Sequence, residues 1–325
     1  MRMISGKKVK SLVLVMLFSI SITGFSQSMK EAVDAFNEGA SLTKSNPDGA
    51  IKAFEKCIGI SEKLGDEGKD TKEKAEQQLP LLYYTVALNS YKKKDFDAAI
   101  SGLNEAKAVA DKYGNQEISA KSEKIVPQFY YAKGSSEYKN KDYDAALASL
   151  DKAAELNPKY AKPYLVKATI YKAQNDTENM LMACDKAIEV GASGDKKTAE
   201  SAEKLAKNTM FNDAVAAIGA KNWDEAETSL KKSIEYGNDT PDVHYQLGKV
   251  YVAQKKWDPA ITSLNTAVQG DQGDAVAKAK YYYELGNAFV GKGDNTSACD
   301  SFKKAQHGEY AQNAKYQIET VLKCN

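Results

Sequence analysis

The stretch Asp142-Tyr143-Asp144-Ala145-Ala146-Leu147 recurs in altered form around Phe96, Trp223 and Trp257, and each occurrence reads as the opening of a helix. Its most regular residue is a small one: Ala50, Ala99, Ala146, Ala226, Ala260 and Ala298, with Met180 as the exception. Four residues after this anchor stand Phe54, Leu103, Leu150, Cys184, Leu230, Leu264 and Phe302. Seven residues after it stand Cys57, Ala106, Ala153, Ala187, Ser233, Ala267 and Ala305. Offsets of four and seven lie on one helical face. Twelve residues before the anchor sits a further small residue, Ala87, Gly134, Ala168, Ala214, Gly248 or Gly286. It often falls in an aromatic segment such as Tyr281-Tyr282-Tyr283-Glu284-Leu285-Gly286. The unit is therefore helix, tight turn, helix, with small residues where the two helices cross.

At these residues the chain resembles the tetratricopeptide repeat family, whose unit is about 34 residues long. The match is best at Leu247, Gly248, Tyr251, Trp257, Ala260, Leu264 and Ala267. The anchor spacings 146 to 180 and 226 to 260 equal 34, whereas 50 to 99, 99 to 146, 180 to 226 and 260 to 298 give 49, 47, 46 and 38. The three long insertions are rich in Ala, Glu and Lys, which favours longer helices over loops. Shared between two helices, each insertion lengthens both by roughly two turns. The resemblance covers about residues 30 to 306 and implies an all-α, right-handed α-solenoid of about seven such helix pairs. This domain is expected over 27–325, with a subdivision near 193–206. The stretch from Glu309 to Leu322, with Tyr310, Ala314, Ile318 and Leu322 near one face, reads as a C-terminal capping helix.

The first residues have the order of a cleavable secretory signal. Arg2, Lys7, Lys8 and Lys10 precede an apolar run from Leu12 to Ile22, followed by Thr23, Gly24, Phe25, Ser26 and Gln27. The run is about half of the ~20 residues a spanning helix needs. Residues 1–26 thus read as a signal peptide, and no lipid-attachment cysteine lies among them. The expected product is exported, periplasmic or associated with the cell envelope, with no membrane span. It carries 41 lysines against 44 acidic residues, a formal charge of −3, and no arginine, because the only one is Arg2. Bidentate clamps on phosphate and the commonest contact to guanine use arginine, so nucleic-acid binding is not expected.

Catalytic chemistry is hard to find. The two histidines, His244 and His307, have no metal-pair or nucleophile–base spacing, and His244 occupies the slot of Tyr130, Tyr164 and Tyr282. There is no Walker loop, dinucleotide fingerprint, zincin motif or Cys-x-x-Cys. Gly291 and Gly293 before Asp294 read as a turn, and the acidic cluster from Asp271 to Asp274 lacks the ligand pattern of a calcium loop. No cofactor or metal is expected, and no enzymatic activity. Cys57, Cys184 and Cys299 fall in repeat helices as small hydrophobes. Cys299 begins a helix and Cys324 follows the antiparallel last helix, so these two can approach, and an oxidising compartment permits a bond.

What rises above a bland reading is the set of 19 tyrosines, concentrated in first helices. In the resembled family, first helices line a concave groove. Helical offsets place Tyr84 with Tyr91, and Tyr131 with Ser135 and Tyr138, on one face; Lys139 follows on the same helix. Tyr245 with Lys249, and Tyr283 with Asn287, continue the pattern. The resemblance implies a non-enzymatic scaffold or adaptor of the cell envelope that binds a partner protein or peptide in this groove. The family's clamp for acidic C-terminal tails repeats lysine and asparagine along successive first helices, whereas Lys249 and Asn287 stand alone. The alternative is a glycan-binding, outer-membrane-associated helical repeat protein, since exposed aromatic rings also stack on sugars.

Overall fold

The structure, a computed structural model, describes residues 26–324. The expected signal segment lies outside the described residues except for Ser26. The described residues are all-α, and two compact units, Met1–Pro163 and Tyr164–Asn325, divide the chain. Residues 193–206 fall within the second unit, at a turn and the start of a helix.

The first unit contains three antiparallel helix pairs. A helix over 26–42 (α1) pairs with α2 (Pro47–Lys63), α3 (Lys69–Lys92) with α4 (Phe96–Lys112), and α5 (Gln116–Lys139) with α6 (Tyr143–Leu156). In the second unit α7 (Ala161–Ala173), which starts at the boundary, pairs with α8 (Thr177–Gly191), and α9 (Lys196–Gly219) with α10 (Trp223–Glu235). Then α11 (Pro241–Ala253) pairs with α12 (Trp257–Gly270), and α13 (Ala275–Lys292) with α14 (Asn295–Lys304). A short α15 (Ala311–Tyr316) runs into a π-helical turn, Gln317–Val321.

The repeat pattern accounts for the core. All seven anchors and all the residues four and seven positions after them are 0% exposed. Ser233, where other repeats mostly have alanine, donates its hydroxyl to the Lys207 carbonyl at 2.8 Å, which satisfies its buried oxygen. Each second helix begins three residues before its anchor, and in four repeats an aspartate caps it. Asp95, Asp142, Asp176 and Asp294 accept hydrogen bonds from the backbone N–H of Ala98, Ala145, Asn179 and Ser297. The residue before the cap is left-handed: Lys94, Lys141, Asn175, Lys221, Lys255 or Gly293. This conformation ends the first helix and reverses the chain within two or three residues.

The insertions do become helix, but unequally. Helices α3, α5 and α9 have 24 residues, against 13 for α7 and α11, whereas α2 and α4 reach only 17. Left-handed Gly65 and Gly114 stop the chain soon after α2 and α4, so most of the added length extends the following first helix backwards. Pro241 opens α11, yet Pro80 and Pro127, at the same register, lie inside α3 and α5. The last segment covers the final repeat as expected, with Ala314 and Ile318 buried on Phe302, although it is not one regular helix.

Candidate functional site

In the first unit α3 and α5 pack on each other, so their tyrosines form one surface. The Tyr91 ring stacks on Phe129 with centroids 4.1 Å apart and meets the edge of Phe96 at 5.7 Å. It remains 36% exposed. One helix along, half-buried Tyr131 stands edge-on to Tyr160 at 5.3 Å, and half-buried Tyr138 lies 6.2 Å from Tyr143. Between them the Ser135 hydroxyl is buried without a hydrogen-bond partner among the described residues. Lys139 is exposed at the end of α5, while Tyr84 is half-buried against the core around Leu103. Each of these rings has one side held by aromatic or apolar neighbours and part of its surface free.

In the second unit one of the expected tyrosines is internal. Tyr245 is 8% exposed and belongs to the core, with its ring edge-on to Tyr281 at 5.4 Å. Burial raises its phenol above the usual tyrosine range, as does the hydrogen bond with Tyr310. Lys249 and Lys280 each carry an ammonium 5.3 Å from its ring centroid. Tyr283 packs on Phe302 at 5.5 Å and Tyr310 at 5.4 Å, under the C-terminal cap. Asn287 donates to Glu284 at 3.1 Å. Of the expected residues in α11 and α13 only Tyr245 is internal; Lys249, Tyr283 and Asn287 are half-buried, as Tyr131 and Tyr138 are in α5. Helical offsets give a direction around the axis, whereas burial depends on what the next helix and the cap bring over it.

A cleft that sequence offsets did not reveal lies in the second unit, with a volume of about 480 Å³. Lys172 of α7, Met180 of α8, Thr209, Asp213 and Ala217 of α9, and Glu225 of α10 line it. Burial raises the Asp213 carboxyl above its usual range, the Lys172 charge opposes this, and Glu225 adds to it. The signal was present in the repeat register. Nine residues before the anchor the other repeats of this unit have Tyr171, Tyr251 and Phe289, and here the residue is Ala217.

Other polar groups have structural partners. His244 is half-buried and pairs with Asp239 at 2.5 Å. Burial raises the Cys57 thiol and pushes that of Cys184 up to about 12, so both act as inert core residues. Cys299 and Cys324 form a disulfide with a Cα–Cα distance of 5.9 Å. Among the described residues no helix is long and apolar enough to cross a membrane.

Sequence profiles described as tetratricopeptide repeat match residues 127–160, 217–281 and 279–306. The chain belongs to the tetratricopeptide repeat family. The first match takes in Tyr131, Tyr138 and all of α6, and the second runs from Ala217 in the cleft to Tyr281. Among solved structures, this tetratricopeptide repeat protein is similar to MamA at 18% identity, with 60% of this chain and 96% of that one covered and a TM-score of 0.33. YrrB, described as a TPR protein with an unusual peptide-binding site, gives 18% identity, coverages of 62% and 96%, and a TM-score of 0.33. The TPR2AB domain of yeast Sti1 in complex with pHSP90 gives 14%, coverages of 75% and 96%, and 0.30. No curated protein matches the sequence.

Proposed function

We propose that this tetratricopeptide repeat protein is a non-enzymatic scaffold of the cell envelope that holds a segment of a partner protein against the first helices of its first unit. The observation that carries this reading is the aromatic surface of α3 and α5, where Tyr91, Tyr131 and Tyr138 are propped by Phe129, Tyr160 and Tyr143 and remain partly open. Such rings offer rigid, amphipathic area with few rotamers to freeze, which is why tyrosine is enriched among interface hot spots. Lys139 at the end of the same helix adds only a screened contribution.

The envelope location rests on the basic, apolar and small-residue order of residues 1–26 and is supported by the Cys299–Cys324 bond, which an oxidising compartment maintains. The test is a crosslinking pull-down from the periplasm with the wild-type chain and with the Tyr131→Ala, Tyr138→Ala double variant. The same partner should be recovered by the first and lost from the second, by about 2 kcal/mol or more of binding free energy, while helical circular dichroism persists. Full retention of the partner by the double variant contradicts the reading. Unfolding of the variant also contradicts it, because it assigns both tyrosines to the core. N-terminal sequencing should find Gln27 first; recovery of Met1 on a membrane-bound product contradicts export.

A further inference from the structure

The face of α9 that meets α8 carries Thr209, Asp213 and Ala217, at intervals of four. At the same three registers α11 has Val243, Leu247 and Tyr251, and α13 has Tyr281, Leu285 and Phe289. In α11 all three are buried, with Tyr251 7% exposed. A polar, small set thus replaces the bulky apolar one of α11 and α13, and the space that a ring and a leucine fill in those two helices stays open here as the 480 Å³ cleft. A mere packing defect would be lined by apolar atoms, but this cleft presents unspent acceptors. Thr209 is 7% exposed, lines the cleft, and its hydroxyl has no hydrogen-bond partner among the described residues. Asp213 makes no hydrogen bond or ion pair among the described residues either, and one Glu225 oxygen is held by Asn222 at 2.5 Å. Met180, 0% exposed, forms the apolar wall opposite.

We infer that this cleft receives a cationic side chain, arginine or lysine, from the partner segment, an inference that rests on the partner-binding reading above. An aliphatic stem suits the wall formed by Met180 and Ala217, and a multi-donor head suits Thr209, Asp213 and Glu225. An inserted tyrosine would fill the volume but bury two carboxylates further without pairing them. An anionic ligand would meet both carboxylates against the single cation, Lys172.

The test uses the full chain and small probes, so that its outcome is independent of the pull-down. N-acetyl-arginine methylamide should give saturable NMR shifts centred on Thr209 and Ala217. Its neutral analogue, N-acetyl-citrulline methylamide, should bind about tenfold more weakly. Asp213→Asn should weaken the arginine probe by about the same factor, and Ala217→Tyr, which restores the residue type of neighbouring repeats, should abolish binding without lowering the melting temperature. The inference is overturned if the citrulline probe, or N-acetyl-tyrosine methylamide, saturates these residues as tightly as arginine. It is equally overturned if Asp213→Asn leaves arginine binding unchanged. Should Ala217→Tyr unfold, the citrulline comparison and Asp213→Asn still decide. Failure here with a successful pull-down removes the cleft from the binding surface and leaves the tyrosine face intact.

Discussion

Gly248 lies so close to Leu264 that a Cβ on the glycine would stand 2.5 Å from the leucine Cγ. The leucine is 0% exposed and has no room to retreat. Gly248→Ala should therefore separate α11 from α12 and cost about 1–3 kcal/mol. Gly59, exposed in α2 with no heavy atom within 4 Å of a built Cβ, is the control. Gly59→Ala should gain up to about 1 kcal/mol through helix propensity. Urea denaturation measures both, and a neutral Gly248→Ala would contradict the close crossing.

The turns carry backbone strain that sequence changes can relieve. Lys141 sits at φ +63°, where its N–H bonds to the Tyr138 carbonyl at 2.9 Å and that of Asp142 to the Glu137 carbonyl at 3.0 Å. The left-handed conformation costs an ordinary L-residue about 1–2 kcal/mol, and asparagine tolerates it better. Lys141→Asn should raise stability by up to about 1 kcal/mol, whereas the β-branched Lys141→Val should lower it. Equal melting temperatures for the two variants would refute the assignment of strain.

Glu227 makes part of the stability pH-dependent. Burial alone would raise its carboxyl, but Lys231 at 2.6 Å and Lys256 at 2.7 Å outweigh that and lower it to about 2. With the folded value below the unfolded one, the contribution is fully present above about pH 5 and is lost as pH falls towards 2. Both lysines are about half exposed, so solvent screening reduces it to about 1–2 kcal/mol. Glu227→Gln should lose that amount at neutral pH and flatten the decline between about pH 5 and pH 2. Denaturation curves at several pH values provide the measurement; parallel profiles for both proteins would exclude this role.

The disulfide latches the cap. Cys299 in the middle of α14 and Cys324 beyond the π turn are 25 residues apart, and the segment between them holds Ala314 and Ile318 on Phe302. Reduction should cost about 3 kcal/mol through the freed chain entropy. Hydrogen exchange should show lost protection over residues 311–321 and none over α3 to α6. Unchanged protection over the cap after reduction would mean that its apolar contacts suffice.

The sequence by itself determined the helix pairs, because helix, cap and turn depend on residues within a few positions of one another. The apolar set at Ala146, Leu150 and Ala153 and the Asp142 cap suffice to specify α6, and the same reasoning holds for α4, α8 and α14. Even the small crossing residue is legible, except in the first pair, where it is Gly39 against Phe54, one position out of register after a differently formed turn. Tertiary structure decided what covers each face. In the repeat pattern Tyr138, four residues after Gly134, and Tyr245, three before Gly248, both share the face of their helix's crossing residue. The first stays half open beside Tyr143, while Tyr281 and Tyr310 close over the second. The cleft at Ala217 likewise exists only where α8 and α9 come together, since a missing side chain becomes a space only when its neighbours are packed around it.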